Sequence, residues 1–184
     1  MAARNPPASP PCLGVEIVDE RMRIAQAPTI RAVVLDLDDC LYPERQYVRG
    51  GYGAAARHLR SLGYEGPFET WLWSRFLRGE GGGAFDALNA AFALGLSPDR
   101  LEQLVRVYRE HVPSIRPRGG MIELLGRLHE HFRMGLLSDG YLPAQRLKLA
   151  ALKIERFFDA VVLTEELGRG AWKPSPVGFE AIRE

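Results

Sequence analysis

One stretch limits what this chain can fold into more than any other: Ala32-Val33-Val34-Leu35, a run of four apolar residues, leads straight into Asp36-Leu37-Asp38-Asp39-Cys40. Such a run is too short for a helix and suits a strand covered on both faces, as the strands of parallel sheets are. In open α/β sheets ligands bind just beyond the carboxyl ends of the strands, so Asp36 and Asp38 stand where chemistry is usually done. The two-residue period of an extended chain points their side chains the same way.

The rest of the chain predicts a parallel sheet interrupted by helices. Residues 45–112 are strand-poor, with apolar residues at helical spacing in 47–62, 68–77 and 85–94, separated by Gly63, Gly66-Pro67 and Gly79 to Gly83. Ser97-Pro98 has the form of a helix start, with Ser as N-cap and Pro at the first helical position, ahead of Leu101, Leu104, Val105 and Tyr108. Beyond Arg116-Pro117-Arg118-Gly119-Gly120, another helix carries Met121, Leu124, Leu125 and Leu128. Met134 to Leu137 is a second strand, ending in Ser138-Asp139-Gly140, and a helix presenting Leu147, Ala150 and Ala151 follows. Phe157 to Thr164 is a third strand; a loop then reaches Trp172-Lys173-Pro174, and Pro176 opens a last helix. This order is that of a parallel Rossmann-like α/β sheet with right-handed crossovers. Residues 1–27 read as a leader, disordered over the Pro-rich 1–11 and extended or edge-strand-like over 14–25.

Composition removes several function classes. Lys and Arg number 24 against 23 Asp and Glu, a net charge of +1, so no bulk field recruits nucleic acid or an anionic membrane. Cys12 and Cys40 make no disulfide framework, which suits a reducing, cytoplasmic setting. With no signal-peptide core and no apolar run of membrane-spanning length, a soluble protein is expected. His58, His111, His129 and His131 share no ligand spacing with Cys or acids, and packing or surface roles are expected of them. Nothing in the sequence sets an oligomeric state.

Asp36, Asp38, Ser138 and Lys173 all fall at strand ends or in the loops beside them. A carboxylate nucleophile, a second carboxylate two residues on, a hydroxyl and an ammonium suit the transfer of a phosphoryl group. In this reading Asp36 attacks phosphorus, while Asp38 protonates the leaving alcohol and later activates water. Ser138 and Lys173 hold the phosphate oxygens, and Lys173 offsets the charge of the two carboxylates. Two carboxylates and a phosphate dianion also call for a hard cation, Mg²⁺, with Asp36 and the Asp38 carbonyl as part of its shell. Asp-x-Asp alone can equally cap a helix or shape a turn, and Asp39 is read in that way.

In order and spacing, these residues resemble the motifs of the haloacid dehalogenase (HAD) superfamily of phosphohydrolases. Asp36-Leu37-Asp38 matches the first motif, Leu136-Leu137-Ser138-Asp139-Gly140 the second and Lys173-Pro174 the third. The resemblance implies a HAD-like core from residues 28–44 and 113–184, with 45–112 as an inserted α-helical cap. It implies a Mg²⁺-dependent phosphatase acting on a small phosphorylated metabolite through an aspartyl phosphate. Asp36, Asp38 and Lys173 would be catalytic, Ser138, Asp139, Gly140 and Lys173 would bind substrate, and Asp36 and Asp38 would hold the metal. A dehalogenase needs no acid after its nucleophile, so Asp38 favours phosphate esters. The family's fourth motif, a strand ending in aspartates that complete the metal site, has no counterpart in the eleven residues after Lys173. The expectation is therefore a core incomplete at its C-terminal end, its first strand left with an unpaired edge. A truncated, non-catalytic module that binds phosphate or a protein partner is the alternative.

Overall fold

Valine and leucine fill three short strands: β1 (Ala32–Leu35), β2 (Arg133–Ser138) and β3 (Ala160–Leu163). They form a parallel sheet of order β1-β2-β3 in the computed structural model, which describes residues 30–183. The leader and its alternating stretch lie outside the described residues. Leu35 stands opposite Leu136, and Ser138 opposite Leu163. Because the strands run the same way, Asp36, Ser138 and Thr164 emerge at one edge of the sheet.

β2 is the central strand and is buried from Met134 to Ser138. On one face Met134 and Leu136 pack with Leu125 of α5 (Met121–His131) and Leu149 and Leu152 of α6 (Leu142–Leu152). The other face carries α7 (Val177–Ala181): a Cβ on Gly178 would lie 2.8 Å from Leu137 Cδ1. β1 departs from the expectation of a strand covered on both faces. Val33 and Leu35 turn into the core, but Ala32 and Val34 are exposed, Val34 at 39%. Among the described residues β1 pairs with β2 alone, and α7 lies over β2 rather than over β1. The third strand is shorter than expected: Glu155–Phe157 is a 3₁₀ turn and Thr164 begins another, since pairing with β2 extends only from Ala160 to Leu163. The buried face of α6 also differs from the expected one. Ala144, Gln145, Lys148, Leu149 and Leu152 are buried and Ala150 is exposed.

Between β1 and β2 the chain builds a helical layer with its own apolar centre. It comprises α1 (Glu44–Ser61), α2 (Phe68–Leu77), α3 (Ala84–Ala91) and α4 (Pro98–Arg109). Val48, Tyr52, Ala55, Ala56 and Leu59 of α1 meet Phe68, Leu72, Phe85, Leu88 and Leu104. Gly51 lets α1 approach α4, because a Cβ there would lie 2.5 Å from the Tyr108 ring. At the end of α1, Gly63 takes φ +89, with its N–H on the Arg60 carbonyl and that of Tyr64 on Leu59, the Schellman pattern. Ser97 caps α4 as expected, its hydroxyl accepting from Arg100 N at 3.4 Å.

The two connections between sheet and helical layer are laced together by Arg118. Its N–H donates to the Leu41 carbonyl at 3.0 Å and its guanidinium to the carbonyls of Asp39 and Cys40 at 2.5 and 3.1 Å. Asp39, at φ +54, accepts from the N–H of Glu44 at 2.9 Å, so it is the turn and capping residue that its position suggested.

Just past α4, His111 Nδ1 lies 2.8 Å from the Tyr108 carbonyl, which can only accept, so Nδ1 carries the proton. Nε2 is buried against Gly50 with no hydrogen-bond partner among the described residues. Burial holds the His111 pKa below its ordinary value, aided by the charges of Arg57 and Lys148 and opposed by the Tyr108 carbonyl. A depressed histidine pKa gives stability that is present above the unfolded value of about 6.5 and lost as pH falls through the folded one. Thermal melts between about pH 7 and pH 5 are therefore expected to show a steeper loss for the native chain than for His111→Gln. Equal slopes would remove His111 as the cause.

Candidate active site

The carboxyl edge of the sheet carries two carboxylates with different partners. Asp36, directly after β1, has an exposed side chain and accepts from Lys173 Nζ at 2.7 Å. That ammonium also donates to the Leu137 carbonyl at 3.1 Å, which anchors it at the end of β2. Asp38 turns elsewhere. Lys148 Nζ lies 2.8 Å from each of its oxygens, Gln145 Nε2 donates to Oδ2 at 3.1 Å, and the Tyr42 hydroxyl donates to Oδ1. Burial first, and then the charge of Asp38, push the Tyr42 pKa far above that of a free phenol, so Tyr42 remains a donor. The same causes, in the same order, raise the Glu44 carboxyl at the start of α1.

Ser138 is 1% exposed, and its hydroxyl donates to Gln145 Oε1 at 3.3 Å. Gln145 therefore joins the end of β2 to Asp38 and also donates to the Asp139 carbonyl at 2.9 Å. Gly140 provides the room, since a Cβ there would lie 2.6 Å from Gln145 Nε2, and its φ of +126 suits glycine alone. Asp139 braces the loops on either side. One oxygen accepts from Thr164 Oγ1 at 2.7 Å and the other from the backbone N–H of Lys173 at 3.0 Å.

The residues singled out from sequence are thus gathered at one edge, in two sets. Asp36 and Lys173 form one; Asp38 and Ser138, joined by Gln145, form the other. Asp139 stands behind both, setting the position of the Lys173 backbone. Sequence reasoning passed over Gln145, Lys148 and Tyr42. The available signal was the spacing of Ala144, Lys148, Leu149 and Leu152 on one face of α6, which puts a lysine and a neighbouring glutamine among core positions.

This is an α/β protein with a parallel sheet, its carboxylates and lysines collected where such folds bind ligands. The profile of the family described as haloacid dehalogenase-like hydrolases matches residues 30–184, and the chain belongs to that family. Two relatives are named glyceraldehyde 3-phosphate phosphatase. The protein of Methanocaldococcus jannaschii is 28% identical over 77% of this chain and 65% of its own length. That of Methanopyrus kandleri is 30% identical over 84% of this chain and 70% of its own. The chain thus spans 65% of the length of the first relative, just under two thirds. A crystal structure of a HAD hydrolase from Bacillus subtilis bound to magnesium shares the fold, with a TM-score of 0.55 and 20% identity over 83% of this chain and 71% of that one. No helix among the described residues is long and apolar enough to cross a membrane.

Proposed function

We propose that this site hydrolyses the phosphate monoester of a small metabolite, with Asp36 as nucleophile. The observation that carries this reading is the exposed Asp36 carboxylate at the end of β1, with the Lys173 ammonium 2.7 Å from one of its oxygens. An Asp36 oxygen bonds to phosphorus as the ester P–O bond breaks, and Asp38, which takes up a proton from solvent when the substrate binds, gives that proton to the departing alcohol. Water then attacks phosphorus and yields its proton to Asp38, freeing Asp36 and phosphate. Lys173 offsets the charge gathered there. The helices of residues 45–112 would form a cap that closes over the substrate and shuts out water. The names of the two relatives make glyceraldehyde 3-phosphate the first substrate to assay.

Oxygen donors at this edge suit Mg²⁺: the Asp36 carboxylate and the Asp38 carbonyl would hold it. When bound it would neutralise the phosphate and the developing charge. Among the described residues no cluster of three or more His, Cys, Asp or Glu side chains forms a metal cage, so water and substrate oxygens would complete the shell. The same observation, with Asp38 engaged by three side chains, favours a second reading, a module that binds phosphate without turnover. Titrating Mg²⁺ against hydrolysis of p-nitrophenyl phosphate and glyceraldehyde 3-phosphate separates the two. Saturable, Mg²⁺-dependent release of phosphate is expected; binding of inorganic phosphate without turnover would decide for the module.

A further inference from the structure

We propose that Lys148 is the positioning residue for Asp38, acting on the reaction only through that carboxylate; this rests on the phosphatase reading above. Lys148 lies 110 residues from Asp38 in sequence, yet its Nζ is 2.8 Å from both carboxylate oxygens. Its side chain is 5% exposed, so bulk water does not compete for the ammonium as it would at the surface. On its other side the ammonium sits 4.4 Å from the centre of the Tyr47 ring, on α1. The Tyr47 hydroxyl in turn donates to the Arg109 carbonyl at the end of α4, at 2.5 Å. The ammonium thus lies between the loop after β1 and the helical layer, with contacts to both.

The other donors to Asp38, Tyr42 and Gln145, are neutral. Without Lys148 the carboxylate, 23% exposed, would be held by those two while water competes for its oxygens. Displacing a catalytic group by about 1 Å can cost about 100-fold in rate. Such a loss has a signature. A proton donor matters for an alkoxide leaving group and hardly at all for dinitrophenolate, which departs unprotonated. The ratio kcat/KM includes only steps up to that departure, so later water activation by Asp38 does not enter it.

The test compares kcat/KM for glyceraldehyde 3-phosphate and 2,4-dinitrophenyl phosphate in the native chain, Lys148→Met, Lys148→Arg and Asp36→Asn. Lys148→Met is expected to lose about 100-fold on the alkyl ester and less than about threefold on the aryl ester. Lys148→Arg, which keeps the charge, is expected to show the same selectivity with a smaller loss, and serves if the Met variant does not fold. Equal losses on both esters in a folded variant, or no loss, would overturn the inference while an inactive Asp36→Asn leaves the phosphatase reading standing. A native chain that hydrolyses neither ester overturns that reading and this inference with it. The contact itself is checked without turnover: the Lys148 ammonium should give a slowly exchanging ¹⁵Nζ signal that disappears in Asp38→Asn. Absence of that signal from the native protein would count against the inference.

Discussion

Asp36→Asn is expected to abolish ester hydrolysis while leaving the fold almost untouched. If the Asp36 oxygen is the atom that bonds phosphorus, the amide that replaces it is no nucleophile, and kcat should fall by about a thousandfold or more. The structural loss is small. Asp36 and Lys173 are 45% and 30% exposed, and an ion pair that open to solvent is worth roughly 0–1 kcal/mol. Lys173 also keeps its bond to the Leu137 carbonyl and its backbone tie to Asp139. The paired measurement is therefore steady-state hydrolysis beside a thermal melt. A variant retaining a tenth of native turnover would remove Asp36 as nucleophile. One that lost activity only because it had unfolded would show that this pair carries far more stability than its exposure allows.

What could be read from the sequence was whatever depended on neighbours in the chain. The apolar run ending at Leu35, the change of period at Met134 and the Ser97-Pro98 cap are local signals, and each element lies where the pattern put it. Asp36, Ser138 and Lys173 could be named because parallel strands deliver their carboxyl ends to one edge. Gln145 and Lys148 could not, because their partner Asp38 is 107 and 110 residues away and a lysine on a helix ordinarily belongs to a solvated face. The open face of β1 was hidden for a different reason. Four consecutive apolar residues satisfy both faces of a strand equally, so only the position of α7 shows that Val34 is the side left exposed. Asp139 was expected among the substrate-binding residues. Its two oxygens accept from Thr164 and from the Lys173 backbone, contacts that no spacing in the sequence announces.

Asp38→Ala should behave in the opposite way to Asp36→Asn, with a large loss of stability beside its loss of activity. The difference lies in the two lysines. Lys173 is part-exposed, but Lys148 is 5% exposed, paired with Asp38 and set against the Tyr47 ring. Removing the carboxylate leaves a buried ammonium without its paired counter-charge, with only the more distant Glu44 carboxyl felt, and the ring face recovers only about 1–2 kcal/mol of that loss. Breaking a buried pair from one side typically costs about 3–5 kcal/mol; with Asp38 itself 23% exposed, about 2–4 kcal/mol is expected here. For a chain of this size that lowers Tm by roughly 4–16 °C. The cause can be isolated by a second substitution. If the penalty is the stranded charge, then Asp38→Ala combined with Lys148→Met should be more stable than Asp38→Ala alone, because the apolar pair strands no charge. A double variant that melts lower still would mean that Lys148 stabilises the helical layer through Tyr47 independently of Asp38. An Asp38→Ala protein that melts with the native chain would mean that the ammonium finds water, and that this pair is not buried in solution.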